Sequence, residues 1–409
     1  MRQCLNERQR GFLSLAEKVA PALTERAVKN DRDNVFPYDN YADLRAAGLM
    51  RLTVPETLGG LGAEQGEMLL VLERLAQADG ATALAYAMHA APLGSWAAVW
   101  RQTGNPMLEH VLGIAGRDGL VLAAISSEIG VSNLFLDART KAERVPGGFL
   151  INGRKNFATN SAVATHCATT AHYDDPELGP RLFVVFVDMS DPAVTVHQTW
   201  DTLGMRATQS NDVVFEDLFV PEQAVVQSVP IGHFDAGILE TIICWQAPSF
   251  GAVYTGVAAA GLEWVIDVVR RRGLTRDTRV QDAIADCEIL LEINRSVLHR
   301  HAEEFVSRRL VEQLGVQEGL ARCAFVKNTC TNNAVAIYRR LVDVLGGAAY
   351  TRTQPFERLW RDVQAGLIMP ISNLMANELI GATALGVSVR PVAGADAAGP
   401  ALATTGSAG

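Results

Sequence analysis

The sequence predicts an α+β protein in which a small β domain lies between two helical regions. Four short runs rich in β-branched and aromatic residues fall at 122–128, 149–160, 181–188 and 211–221, and each is bounded by the Gly, Pro, Asn or Asp residues that commonly end strands. Outside this stretch, apolar residues recur at three- and four-residue steps, which is the spacing of helices that bury one face. We therefore expect the functional site at the edge of the β domain.

The composition limits what the chain can be. Its 409 residues are enough for two or three domains with a large core. Hydrophobic residues make up 48% and charged residues only 20%, so we expect helices that are buried on several sides, in a large bundle or an oligomer. The net charge of −9 argues against a general nucleic-acid binder, which needs a basic surface.

Two apolar segments, 80–100 and 241–262, approach the length of a membrane span and contain no Asp, Glu, Lys or Arg. Both are rich in Ala and Gly and each contains a proline, so we predict helices buried in protein and no membrane association. Charged residues interrupt the N-terminus, where no signal peptide is recognisable. None of the six cysteines has the spacing of a zinc site, which predicts reduced thiols, no metal and a cytoplasmic location.

The N-terminal region is predicted to be helical. An apolar stripe at 12, 15, 16, 19 and 23 predicts a helix over 7–23, and a second helix over 38–47 ends at Gly48. The Gly-rich segment at 52–62 lacks the GxGxxG or GK[ST] pattern, so it is predicted to be a structural turn. Helices follow over 68–76 and 82–100. His89 in the last of them has two interpretations, a hydrogen-bonded core residue or a pocket residue.

The C-terminal region is also predicted to be helical. Apolar residues at 284, 287, 291, 298 and 305, and again at 326, 330, 334, 337, 341 and 344, form two stripes of the kind that pack helix bundles. His299 and His301 lie on different faces of a helix, which argues against a metal pair. Residues 391–409 are rich in Ala, Gly, Ser, Thr and Pro and are predicted to be a disordered tail.

Five motifs occur in order along the chain. They are PETLGGLG at 55–62, SEIGVSN at 127–133, KNFATN at 155–160, GMRATQS at 204–210 with VVFED and VP after it, and LGGAAYTRTQPFERLWRD at 345–362. Each motif is weak alone, but together they resemble the acyl-CoA dehydrogenase superfamily of flavoproteins over nearly the whole chain.

This resemblance implies an N-terminal helical domain at 1–118, a middle β-barrel or β-sandwich domain at 119–232, and a C-terminal four-helix bundle at 233–390, before the tail. It also implies a tetramer or dimer assembled around FAD. Gly346 and Gly347 would then lie against the cofactor of the neighbouring subunit, because only small residues allow that close approach.

The resemblance assigns cofactor contacts to individual residues. Thr159 is implied to supply a hydroxyl to flavin N5, Phe157 to stack on the ring, and Ser127 to bond the polar edge of the ring. Ser372 occupies the place of a family threonine.

The FAD pyrophosphate is assigned, again by resemblance, to a basic segment. Arg272 ends a long apolar helix, with Arg270 and Arg271 as alternates, and Gln281 matches the Gln that follows in the family. Arginine forks suit phosphate oxygens, although arginines at a helix C-terminus are also favoured by the helix dipole alone.

The chain departs from the family where a dehydrogenase needs a carboxylate to remove the proton α to a thioester carbonyl. Of the two places that supply this base, one holds Pro370 and the other Gln246, and neither side chain takes a proton at neutral pH. Three explanations stay open. Glu240, Asp235 or His89 acts as the base, the gap-free alignment is shifted by a helical turn, or the enzyme does not carry out dehydrogenation.

The predicted substrate pocket contains His89, Trp245, Gln246 and Pro370. The resemblance implies an FAD-dependent oxidoreductase of CH–CH donors, acting on an acyl thioester bound to CoA or a carrier protein, with atypical chemistry and an unidentified electron acceptor. The sequence SNL at 132–134 replaces the usual GSD, which argues against the ordinary CoA contacts. The alternative is a flavin-dependent monooxygenase on the same fold, and a second alternative is a flavin-free, non-catalytic relative.

Overall fold

The computed structural model describes residues 4–117, 119–131, 133–232, 236–306 and 309–389, so the tail predicted at 391–409 lies outside the described residues. The N-terminal region contains helices α1 (Glu7–Asp33), α2 (Tyr38–Ala46), α3 (Gln65–Ala78), α4 (Gly80–Thr103) and α5 (Pro106–Gly116). Asn6 caps α1 through a capping box with Gln9. Helix α1 runs ten residues beyond the predicted end at 23, because its buried face continues to Asp31.

A single sheet follows the N-terminal helices. Its strands are β1 (Leu122–Ile125), β2 (Lys141–Val145), β3 (Gly148–Ala158), β4 (His166–Asp175), β5 (Gly179–Asp188), β6 (Val194–His197), β7 (Asn211–Pro221) and β8 (Val225–Pro230). The strand order is β6-β7-β3-β2-β4-β5-β8, and β1 pairs with β4 in parallel. The four predicted runs correspond to β1, β3, β5 and β7, so the sequence analysis missed the other four strands.

The C-terminal region is helical, as predicted. It contains a short helix α6 (Ala236–Ile238), a π-helical segment (Leu239–Ile243), α7 (Cys244–Arg271), α8 (Thr278–Val306), α9 (Arg309–Leu345), α10 (Pro355–Gln364) and α11 (Asn373–Ala384). Helix α9 is interrupted at Gly315, where φ is 72°. The predicted α+β class, with a β region between two helical regions, is confirmed.

Close packing joins the two helical regions. A Cβ built on Gly256 of α7 would lie 2.2 Å from the backbone oxygen of Glu73 in α3, so these helices meet at a point that only glycine permits. The Arg295 guanidinium of α8 donates to the Glu73 carboxylate at 2.7 Å on the same side. One large apolar core therefore extends from α1 through α3 and α4 into α7, α8 and α9.

Helix α7 is the one helix among the described residues that is long and apolar enough to cross a bilayer by length and composition, and 72% of its most apolar window is buried inside the protein. A core helix of this kind satisfies the same criteria, so α7 alone is weak evidence for a membrane span.

Candidate functional site

A cavity of about 1110 Å³ lies where the sheet meets α4, α7 and the turn between α10 and α11. Three of its walls matter here. A polar wall comes from the sheet and the loop before β7, an apolar wall comes from α4, and a third wall comes from α7 together with residues 368–375. Predicted site residues lie in the first and third of these walls.

Phe157 and Thr159 lie in the polar wall, at the end of β3. The Phe157 side chain is large and apolar, yet the residue is 54% exposed, with its ring edge-on to Trp200 at 5.7 Å between centroids. Its φ of 54° is uncommon for a residue other than glycine. Asn160 holds this turn in place, because it accepts from Tyr41 Oη at 2.6 Å and donates to the backbone oxygen of Ala85 at 2.8 Å.

Three hydroxyl groups form a chain along the same wall. Thr159 Oγ1 lies 2.7 Å from Ser210 Oγ, and Ser210 Oγ lies 2.8 Å from Thr208 Oγ1. Thr208 Oγ1 in turn donates to the backbone oxygen of Met205 at 2.9 Å. All four residues line the cavity. The sequence analysis gave no role to Thr208 or Ser210, although the motif at 204–210 contains both.

A buried ion pair supports the polar wall from behind. Lys155 Nζ donates to Glu128 Oε1 at 2.5 Å, and both side chains are almost completely buried. Backbone N–H groups of Arg139 and Thr140 also donate to this carboxylate. Burial alone would raise the pKa of Glu128, but the Lys155 charge and these hydrogen bonds outweigh it and hold the pKa below its ordinary value.

Gln246 and Pro370 both line the third wall. Gln246 Nε2 lies 2.9 Å from the Met88 sulfur, and Ser372, which also lines the cavity, caps α11. The ionisable residues of the described lining are Glu128, paired with Lys155, and Arg361, paired with Asp31 and Glu357.

The described lining therefore offers no unpaired carboxylate to act as a base. Asp235 lies outside the described residues, as does the side chain of Glu240, so the structure places neither of these two candidate bases. Ser132, in the segment that replaces the usual GSD, also lies outside the described residues. The part of the chain that the structure describes holds no group of three His, Cys, Asp or Glu residues able to bind a metal ion.

Helix α4 supplies the apolar wall. Its lining residues follow one face of the helix at three- to four-residue steps: Leu84, Met88, Pro92, Trp96 and Val99. At about 1.5 Å of rise per residue, this stripe extends for roughly 22 Å. The cavity therefore has a long apolar compartment beside its polar wall.

The structure places two of the predicted pocket residues, His89 and Trp245, outside the described lining of the cavity. His89 is completely buried, accepts from the backbone N–H of Leu122 at 3.1 Å and donates to the backbone oxygen of Met50 at 2.6 Å. Burial lowers the pKa of His89 to about 4, which keeps the ring neutral. The Trp245 ring packs against Gly94 and, edge-on, against Phe305.

Four predicted cofactor contacts also lie away from the described lining of the cavity. Arg272 is exposed at the C-terminal end of α7, and Gln281 is exposed on α8, where its side chain donates to the Thr275 backbone oxygen at 2.9 Å. Gly346 has a φ of 59°, and no described atom outside their own chain neighbours lies within 4 Å of a Cβ built on Gly346 or Gly347. Their predicted roles need a cofactor that extends beyond this cavity or a second subunit, and stay predictions.

The polar wall fits the flavin that the sequence resemblance implies. A flavin ring has flat apolar faces and an edge of nitrogen and oxygen atoms. Phe157 presents an exposed aromatic ring to the cavity, and Ser127 and Thr159 present hydroxyl groups beside it. Because buried space of this kind is normally filled by side chains, an exposed aromatic ring next to a row of hydroxyls indicates a ligand that is aromatic and polar at its edge.

Three domain families match the chain in sequence. Residues 6–100 match the family described as acyl-CoA dehydrogenase, N-terminal domain. Residues 124–218 match the acyl-CoA dehydrogenase middle domain, and residues 238–370 match the C-terminal domain.

Individual proteins are similar over nearly the whole length. YdbM of Bacillus subtilis, provisionally named an acyl-CoA dehydrogenase, is 28% identical over 379 residues, which cover 89% of this chain and 94% of YdbM. The L-evernosamine nitrososynthase of a Micromonospora species is 29% identical over 400 residues, which cover 95% of this chain and 93% of that enzyme.

Among solved structures, KijD3 in complex with FMN and dTDP-3-amino-2,3,6-trideoxy-4-keto-3-methyl-D-glucose superimposes with a TM-score of 0.85 at 28% identity. The match covers 95% of this chain and 96% of KijD3. The likeness thus extends through all three regions that supply the cavity walls.

Proposed function

The chain belongs to the acyl-CoA dehydrogenase superfamily and is an oxidoreductase with a flavin cofactor, and from this starting point we propose that it is a flavin-dependent monooxygenase acting on a small organic molecule. The substrate class we propose is an amine or an aromatic compound. We thus favour the monooxygenase alternative over the oxidation of an acyl thioester.

The observation that carries the proposal is the third wall of the cavity. The two places where the family sets its carboxylate hold Gln246 and Pro370, and both residues line the cavity in the structure. An amide and a pyrrolidine ring cannot accept the α-proton of a thioester at neutral pH. A positioned general base typically contributes about 10² to 10⁴ in rate, so dehydrogenation at this site would be slow.

The remaining walls suit oxygenation. Phe157, Thr159 and Ser127 would hold the flavin ring, and the apolar stripe of α4 would hold an apolar substrate body beside it. A bound flavin supplies two-electron redox chemistry and, in its reduced form, reacts with oxygen. The protein contributes a largely apolar compartment, and exclusion of water from such a compartment protects reactive species from side reactions.

Two relatives support this direction. The Micromonospora enzyme is named as a nitrososynthase, and KijD3 binds FMN together with an amino sugar nucleotide. We carry over to this chain only the use of a small-molecule substrate and oxidation at a nitrogen or carbon centre. FAD rather than FMN, a homo-oligomeric assembly and a cytoplasmic location remain predictions from the sequence.

Oxidation of an acyl thioester is the second candidate. The name of YdbM favours it, and the carboxylates of Glu240 and Asp235 lie close in sequence to lining residues Gly237 and Ile242. A base supplied from that segment would restore dehydrogenation without either family position.

An anaerobic titration distinguishes the two candidates. The purified protein with bound flavin is mixed with butyryl-CoA, octanoyl-CoA and a panel of amines and aromatic compounds, and the flavin absorbance is followed. We expect the thioesters to leave the flavin oxidised. After chemical reduction and admission of oxygen, we expect product that is heavier by one oxygen atom, detected by mass spectrometry with ¹⁸O₂. Fast bleaching of the flavin by octanoyl-CoA would contradict the proposal and support the second candidate.

A further inference from the structure

The hydroxyl chain of Thr208, Ser210 and Thr159 ends at a group that can only accept, the backbone oxygen of Met205. We infer that it makes Thr159 a hydrogen-bond acceptor towards the cavity, so that the site binds reduced flavin, which carries a proton on N5, more tightly than oxidised flavin. The inference rests on the proposed flavin site and on the N5 contact that the resemblance implies for Thr159, and it assigns to Ser210 and Thr208 a positioning role.

The direction follows from counting protons. The backbone oxygen of Met205 can only accept. It receives the Thr208 backbone N–H at 3.1 Å and the Trp200 indole N–H at 3.3 Å, and its shortest contact is the one with the Thr208 hydroxyl at 2.9 Å. We assign the single hydroxyl proton of Thr208 to this shortest bond. With that assignment, the proton in the 2.8 Å contact between Thr208 Oγ1 and Ser210 Oγ comes from Ser210. By the same reasoning, the proton in the 2.7 Å contact between Ser210 Oγ and Thr159 Oγ1 comes from Thr159.

The Met205 end of the hydroxyl chain is held in place. Met205 has a φ of 52°, and its backbone N–H donates to Asp362 Oδ1 at 2.6 Å, which fixes the peptide next to the accepting oxygen. Thr208 and Ser210 are 1% and 4% exposed. Because both are buried, bulk water does not compete for their protons, and the order Thr159 to Ser210 to Thr208 to Met205 is retained.

Thr159 is then left with lone pairs and no proton for the cavity. Oxidised N5 is an acceptor, so it would meet another acceptor, whereas reduced N5 carries a proton that Thr159 Oγ1 can accept. A net hydrogen bond contributes about 0.5 to 1.5 kcal/mol, which is roughly a two- to tenfold preference. The preference suits an oxygenase, in which the reduced flavin must stay bound until oxygen and substrate are present.

The test is the midpoint potential of the bound flavin, measured anaerobically by spectroelectrochemistry on the holoprotein. Ser210→Ala removes the acceptor for the Thr159 proton, so Thr159 can donate to oxidised N5. Thr208→Val frees the Ser210 proton to be donated to Thr159 and has the same consequence. We expect both variants to lower the potential, and a tenfold change in relative affinity corresponds to about 30 mV for a two-electron couple.

Two matched variants serve as controls. Ser210→Thr keeps a hydroxyl at the same place and should restore the wild-type potential. Ser161→Ala removes a neighbouring buried hydroxyl that donates to the Gln209 backbone oxygen at 3.2 Å, outside the chain, and should leave the potential unchanged. An unchanged or higher potential in Ser210→Ala and Thr208→Val would overturn the inference.

This measurement uses neither substrate nor oxygen, so it separates the two proposals. If the potential falls in both variants but no oxygenated product forms, the hydroxyl chain acts as inferred and the monooxygenase proposal fails. If oxygenated product forms but the potentials of both variants stay at the wild-type value, the monooxygenase proposal holds and the inference about the hydroxyl chain fails.

Discussion

At the scale of single residues, the ion pair between Glu128 and Lys155 has the clearest energetic consequence. The pair is buried behind the polar wall, and the same carboxylate accepts the backbone N–H groups of Arg139 and Thr140. A buried charge that loses its partner is costly because the remaining charge has neither water nor a counter-ion. The Glu128 carboxylate therefore joins β3, through Lys155, to the backbone of residues 139 and 140.

We predict that Glu128→Gln lowers the free energy of unfolding by about 3 kcal/mol at pH 7, because Lys155 keeps its place without a counter-ion. The folded-state pKa of Glu128 lies below the ordinary value of 4.5, so this carboxylate stabilises the wild type above pH 4.5, and the contribution is lost as the pH falls further. The difference between the two proteins should therefore narrow in acid. Urea unfolding from pH 7 to pH 3 measures it.

Glu222→Gln is the matched control for that experiment. Glu222 pairs with Arg144 at the surface, where both side chains are about half exposed, and such pairs contribute about 0 to 1 kcal/mol. A difference at pH 7 no larger for Glu128→Gln than for Glu222→Gln would show that the buried pair does not support the fold.

Single residues of the site also differ in how well the sequence predicted their positions. The motif at 155–160 singled out Phe157 and Thr159 as contacts of the flavin ring, and both residues line the cavity. His89 was predicted to line the pocket, but the rotation of α4 turns it away from the cavity. Adjacent residues on a helix point about 100° apart, so Met88 faces the cavity and His89 faces the core, and a single sequence without a structure does not reveal which of the two is turned inward.

At the scale of secondary-structure elements, the helices were easier to predict than the strands. Strands β2 and β6 are five and four residues long, and together they contain one buried position, so they offer few of the apolar residues on which strand prediction depends. Strand β4 has six buried positions out of ten, but its sequence HCATTAHYDD contains many small and polar residues. Pairing with β1, β2 and β5 makes it a strand, and pairing is information that a local pattern does not contain.

The contact of α3 with α7 yields a second prediction. Gly256→Ala should destabilise the protein by about 1 to 3 kcal/mol, because its methyl group would overlap the backbone oxygen of Glu73, which cannot move without shifting α3. Thermal unfolding followed by circular dichroism measures this change.

Gly11→Ala provides the comparison. Gly11 lies inside α1, and no described atom beyond its own helix backbone and chain neighbours lies within 4 Å of a Cβ built on it. Ala is the better helix former by about 1 kcal/mol, so this variant should be as stable as the wild type or more stable. The packing argument fails if Gly256→Ala behaves like Gly11→Ala.

At the scale of the whole molecule, the cavity is a joint product of all three regions. Its walls come from α4, from the sheet and from α7 with residues 368–375. The ion pair of Arg361 with Asp31 connects α10 to α1, and the Asp362 bond to the Met205 N–H connects α10 to the polar wall. Sequence motifs placed these segments in order, but their meeting around one cavity required the fold.

The choice between FAD and FMN as the cofactor also belongs to this scale, because Arg272 lies away from the cavity. If the cofactor is FAD and Arg272 binds its pyrophosphate, Arg272→Ala should weaken FAD binding about tenfold or more, since charged hydrogen bonds are the stronger kind. FMN, which lacks the second phosphate and the adenosine, should bind both proteins equally. Flavin fluorescence titrations of the apoprotein measure the two affinities.

Arg279→Ala is the control for Arg272→Ala, because Arg279 is 92% exposed and pairs with Asp277. Equal affinity of the wild type and Arg272→Ala for FAD would remove Arg272 from the cofactor site. If Arg272→Ala lowered the affinities for FAD and FMN equally, Arg272 would act on the binding of the shared part of the two cofactors and not through the FAD pyrophosphate.

The shared construction of the cavity has a practical consequence for anyone dividing the chain. A cut in the connection between β8 and α7 yields two fragments, one with the hydroxyl chain and the α4 stripe, the other with Gln246 and Ser372. Neither fragment encloses a chromophore by itself. Yellow colour that stays with the mixed fragments after free flavin is removed by gel filtration would therefore report the docking of the two pieces.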